Sequence, residues 1–136
     1  MADPTEMDLR DEASSLLGMA SGLAHMCCGA SEELGKKEPQ DMTEVVTALR
    51  HVETLLGEAK ASMAKSSAGA PQLVVQAHAV CSLVTVDIAV DAEGRSLQHW
   101  SDEITAWGLH ALCDVIKRAK AAVDGPERSA VELGHG

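Results

Sequence analysis

Two stretches of this chain, residues 13–63 and 73–123, overlay without gaps at a constant offset of 60. Leu23 falls on Leu83, Glu33 on Glu93, Leu49 on Leu109, and Ala59-Lys60-Ala61 on Ala119-Lys120-Ala121. Apolar positions follow the same offset: Val52 with Leu112, Leu55 with Val115, Leu56 with Ile116, Met63 with Val123. In each stretch a long uncharged segment precedes a charged amphipathic one. This layout predicts two similar helical hairpins, and so an all-α four-helix bundle in a single domain spanning residues 1–136. It constrains architecture and names no chemistry.

Local signals place the elements. Residues 1–7 read as an acidic lead-in, and a first helix is expected from about Asp8 to Leu34, stopped by Gly35. Asp41 is a good N-cap with Glu44 as its capping-box partner, opening a second helix that runs to about Lys65. Hairpin 8–65 is then joined to hairpin 72–124 through a linker at 66–71 that contains Gly69 and Pro71. The third segment, 72–92, is ambiguous, because Val84 to Asp91 alternates as a half-buried strand would. Its length favours a helix, since a typical strand has only about 5–6 residues. A strand pair turning at residues 91–94 is the competing reading. Ser96 or Ser101 can cap a fourth helix that ends near Val123, leaving residues 125–136 as an expected disordered tail.

Apolar periodicity then proposes buried faces. Val45, Leu49, Val52, Leu56, Ala59 and Met63 share one side of the second helix. Trp100, Ile104, Trp107, Ala111, Val115 and Ala122 do so on the fourth. On the first helix the expected apolar centre is Leu16, Leu23, Cys27 and Leu34. The first and third helices are unusual, because Ala13–Ser31 and Ser66–Val86 contain no Asp, Glu, Lys or Arg. A helix with one face in water is normally charged there, so these two are expected either inside the bundle or at a self-association surface. Ser14, Gly18, Ser21, Gly22 and Gly29 form a small-residue face suited to close helix packing, and a homodimer through it is expected.

Charge narrows the partners. The formal net charge is −10, and residues 1–44 hold ten acidic against three basic side chains. Nucleic acid and anionic membranes are poor partners for such a surface, since both are bound by Lys and Arg. There is no Phe or Tyr, and only Trp100 and Trp107 could stack on a base. Asp3, Glu6, Asp8, Asp11 and Glu12 are the residues expected to meet a partner protein with a basic surface, although they equally suit a solvated face. The chain opens Met-Ala-Asp-Pro-Thr-Glu, without a basic-plus-apolar signal, and its four cysteines form no CxxC. Reduced thiols in a cytoplasmic protein are therefore expected.

Chemistry-bearing patterns are sparse. His25/Cys28, His78/Cys81 and His110/Cys113 each spell His-x-x-Cys, which puts imidazole and thiol on one helix face and suits Zn²⁺ or Cu⁺. Yet His25 points away from the apolar side of its helix and His110 lies off its stripe. Surface histidines beside small core cysteines explain the set more simply. The adjacent pair Cys27-Cys28 diverges by about 100° on a helix. Asp87 and Asp91 form an i, i+4 pair that could act as an acid–base dyad, but such pairs more often mark a helix emerging into water. Ser62-Met-Ala-Lys65 spells SxxK without its companion motifs, and His51 lacks the flanking residues of a phosphotransfer helix. No phosphate loop, HExxH or GxSxG is present.

The function expected is therefore non-enzymatic protein binding, as an adaptor, regulator or inhibitor of a protein complex, with no cofactor. A small acidic bacterial or phage protein that blocks a defence complex would have these properties. The alternative is a metal- or redox-sensing bundle using the His and Cys residues.

Overall fold

The computed structural model describes residues 5–34, 42–88 and 102–134. They form four helices: α1 (Glu6–Leu34), α2 (Met42–Ala64), α3 (Gln72–Ile88) and α4 (Asp102–Gly134). Each helix packs on two neighbours, α1 on α2 and α4, and α3 on α2 and α4. The contacts Leu9–Ser62, Cys28–His110 and Leu49–Cys81 show neighbouring helices running antiparallel. The chain is all-helical, with the helices packed as a bundle, and no strand occurs among the described residues. Residues 84–88 are helical, so the alternation that begins at Val84 lies on a helix; residues 89–94 fall outside the described ones.

α1 starts two residues before Asp8, for a reason its own side chains supply. Thr5 Oγ1 accepts from the Asp8 N–H and Asp8 Oδ2 accepts from the Thr5 N–H, both at 3.1 Å, a reciprocal capping box. The same turn is tied to the far end of α2. Ser66 Oγ donates to Glu6 Oε2 at 2.7 Å and the Ser67 N–H donates to Glu6 Oε1 at 2.8 Å. At the next turn the buried Ser62 hydroxyl lies within donating distance of the Leu9 carbonyl and of Glu12 Oε2. Thus Ser62 of the SxxK string is a structural hydroxyl. Gly69, at φ 76°, makes the turn into α3 in a conformation that side chains disfavour.

The core is built from small side chains. Ala13, Ala20, Ala24, Ala59, Ala77 and Ala119 are fully buried, interleaved with Leu17, Leu49, Leu56, Leu112 and Ile116. All six stripe residues expected on α2 are buried. The stripe expected on α4 is not: Trp107 is 68% exposed, Ala111 and Ala122 face solvent, and Val115 is half-buried. α4 instead buries Leu109, Leu112, Cys113, Ile116, Ala119 and Val123. An indole is too large for a seam lined by alanine, so the wheel that centred on tryptophan was rotated off the core. On α1 the buried line runs through Ala13, Leu17, Ala20, Ala24 and Cys27, and Leu16 and Leu23 flank it half-buried. Trp100 and the side chains of Ile104 and Leu34 lie outside the described residues.

Neither uncharged helix sits inside the bundle. α1 exposes Ser15, Met19, Gly22, His25, Met26 and Gly29, and α3 exposes Gln72, Val75, Gln76, Ala79 and Leu83. Among the described residues no helix is long and apolar enough to cross a membrane. Near the end of α4, Gly125 is non-helical at φ 85° and ψ 157°, where the helix was expected to stop, yet helical backbone resumes and reaches Gly134.

Two outcomes follow from this packing. Leu56→Ala, which empties a fully buried site, should lower stability by about 2–5 kcal/mol in urea unfolding. Hydrogen bonds from Ser66 and then Ser67 hold the Glu6 carboxyl below the ordinary carboxylate value of 4.5. Its stabilisation is present above pH 4.5 and is lost as pH falls through the lowered folded value. Glu6→Gln should therefore flatten the acid limb of a stability–pH curve; an unchanged limb would show the contact to be energetically silent.

Candidate functional site

Helical spacing makes the outer side of α1 one continuous strip. At 100° per residue Asp8, Asp11, Glu12, Ser15, Met19, Gly22, Met26 and Gly29 lie within about 100° of arc. All eight are exposed, Met19 by 52% and Met26 by 72%. The strip is acidic over its first two turns and uncharged beyond them. Of the small residues expected to meet a partner, Gly22 and Gly29 belong to it, and a Cβ added to either would meet nothing within 4 Å. Ser14 and Gly18 turn toward α4 instead. Ser14 Oγ donates to Asp124 Oδ1 at 2.7 Å, Lys120 Nζ donates to Asp124 Oδ2 at 3.0 Å, and the Lys120 chain lies 3.7 Å from a Cβ at Gly18. Ser21 is half-buried and its carbonyl accepts from His25 Nδ1–H at 2.7 Å. Of the acidic residues, Glu6 and Glu12 are engaged by α2 and its following turn, and Asp8 by its own cap; Asp3 lies outside the described residues.

Among the histidines and cysteines, one contact joins two helices. Cys28 Sγ of α1 lies 3.5 Å from Nδ1 and 3.7 Å from Nε2 of His110 on α4. Cys113 follows His110 by one turn on α4 and is buried like Cys28. Cys27 and Cys81 are both buried, and Cys27 adds a minor upward push to the Cys81 thiol. His110 is exposed and its ring tilts against Trp107, the centroids 6.0 Å apart. His25 and His51 are exposed, and half-buried His78 packs its ring against Gly57 of α2. Among the described residues no three His, Cys, Asp or Glu side chains converge so as to hold a metal ion. The side chain of Asp87 and the whole of Asp91 lie outside those residues.

Burial makes the thiols unequal. Cys81 is fully buried, donates to the Leu49 carbonyl at 3.6 Å, and burial pushes its thiol up to about 11. Burial, helped by Cys28, also raises Cys113 to about 11, and burial raises Cys27. Cys28 and Cys113 are both shallow, 7% exposed beside a solvated imidazole. Residue spacing alone could not show the Cys28–His110 contact, because its members are 82 positions apart.

The chain matches no protein-family model, no curated protein and no solved structure.

Alkylation of the native protein by iodoacetamide should leave Cys81 for last, at a rate set by global unfolding, while the shallow pair reacts first. Peptide mass spectrometry after timed quenching gives the order.

Proposed function

We propose that this chain is a non-enzymatic protein-binding module, an adaptor, regulator or inhibitor that docks through the outer strip of α1. The observation that carries this reading is the composition of that strip: two exposed methionines and two open glycines, continued by the carboxylates of Asp8 and Asp11. Methionine adapts its shape to an apolar groove, and glycine lets a partner backbone come close. The adjoining carboxylates favour a partner surface with basic residues beside that groove. A chain of net charge −10 resists contact with other acidic surfaces, so a cytoplasmic protein partner with a basic patch fits better than nucleic acid or an anionic membrane.

A second copy of the chain is the other occupant to test. Self-association would have to use the uncharged part of the strip, where like charges do not oppose it.

The test compares wild type with Met19→Glu/Met26→Glu and Asp8→Asn/Asp11→Asn, by capture from the host lysate and by native mass spectrometry of untagged protein. A protein retained by wild type, lost from the methionine variant and weakened in the aspartate variant or by salt supports the reading. A bound set indifferent to both variants overturns it, and a wild-type dimer that the methionine variant dissolves makes the second copy the partner. Gly22→Ala separates binding from folding. It should stabilise α1 by about 0.5–1 kcal/mol in thermal unfolding while weakening any partner that needs the open backbone.

A further inference from the structure

The protein-binding strip uses no thiol, and the contact between Cys28 and His110 is independent of it. Cys28 Sγ on α1 lies 3.5 Å from Nδ1 and 3.7 Å from Nε2 of His110 on α4. A neutral imidazole always has one unprotonated nitrogen, so a base stands within reach of the sulfur whichever tautomer is present. The ring also tilts against Trp107, with the centroids 6.0 Å apart. A nucleophile, a base and a third group that steadies the base are the parts from which an active thiol is built. His110 is solvent-exposed, so its proton exchanges with water. Gly29, the next residue after Cys28, is exposed, and a Cβ added there would meet nothing within 4 Å.

The other thiols supply the comparison. Cys81 is fully buried with its S–H on a backbone carbonyl, and Cys27 is 3% exposed. Cys113 is 7% exposed, the same as Cys28, yet burial and then Cys28 push its thiol up to about 11. At pH 7 such a thiol is ionised in about one molecule in ten thousand. Equal exposure makes Cys113 the internal control for what the His110 contact adds.

We propose that Cys28 is a modification site, a nucleophilic thiol with His110 as its base, which takes a low-molecular-weight disulfide and ends as a mixed disulfide. His110 removes the Cys28 S–H proton, and the thiolate attacks one sulfur of the small disulfide. A new S–S bond forms as the old one breaks. The departing thiolate takes the proton from the imidazolium and leaves as a thiol. Cys28 is oxidised, half of the small disulfide is reduced, and no other oxidant enters. A free thiol reverses the reaction by the same steps. The shallow burial of Cys28 sets the size of the reagent: a small disulfide can reach the sulfur, whereas a disulfide held in a folded protein cannot.

The experiment treats the reduced full chain at pH 7 with 2-hydroxyethyl disulfide, an uncharged probe that the acidic surface does not repel. Intact mass and non-reducing peptide mapping follow the adduct. Wild type should gain one adduct on Cys28 before Cys113, Cys27 or Cys81 reacts, and dithiothreitol should remove it. Cys28→Ser should gain none on that timescale. His110→Gln, a change at an exposed position, should keep the helical circular dichroism spectrum and slow the adduct about tenfold. A first adduct on Cys113, Cys27 or Cys81 would overturn the assignment, as would equal rates at Cys28 and Cys113. A disulfide within the chain in place of the adduct would overturn it too. A His110→Gln rate equal to wild type would remove the base and the proposal with it.

Discussion

The closeness of the helices is the condition on which the rest of the molecule depends. Six alanines are fully buried, at least one on each helix, and the chain has no Phe or Tyr to hold the helices apart. Interaxial distance is set by the side chains at the contact, and alanine places it at the short end of the range. A seam that narrow admits leucine, isoleucine and thiols, and expels an indole. It also brings atoms of α1 and α4 together that wider packing would separate, such as the Cys28 sulfur and the His110 ring. Core composition and the Cys28–His110 contact are two consequences of one spacing.

How much of this could be read from the residues differs from helix to helix. α2 was legible because its large apolar residues and its buried residues are the same ones, Val45 through Met63. α4 was not, because periodicity weights the biggest apolar side chain, and Trp107 is there but not buried. The offset of 60 pointed at the better set, since Leu109, Leu112, Ile116, Ala119 and Val123 align with Leu49, Val52, Leu56, Ala59 and Met63, and all ten are buried. For α1 and α3, absence of charge does not place a helix inside the bundle, since a helix can keep an exposed face of Ser, Gly, Gln and Met. The Cys28–His110 contact was illegible for a topological reason: spacing along one helix says nothing about which residue of another helix lies opposite.

Acidic residues near the beginning of the chain divide into two groups with different physics. Glu6 and Glu12 accept hydrogen bonds from serines of α2 and the turn after it, and so work as internal fasteners. Asp8 completes a cap, while Asp8 and Asp11 also carry charge on the exposed strip. Counting all of them as one electrostatic surface overstates the charge available to a partner. What remains is a short acidic end on an otherwise neutral face, a polarity that gives a docking partner a direction along α1.

The fastening at Glu6 also bears on how two copies of the chain could become entangled. A helical bundle can trade one half with its neighbour when the connection between halves straightens into an open hinge. Here that connection runs from Ser66 to Pro71 between α2 and α3. Glu6 grips two of its residues, and the turn closes through Gly69 in a left-handed conformation. Straightening would have to break both hydrogen bonds and undo that turn. The first turn of the first helix is therefore a guard against domain swapping, placed some sixty residues from the hinge it keeps shut.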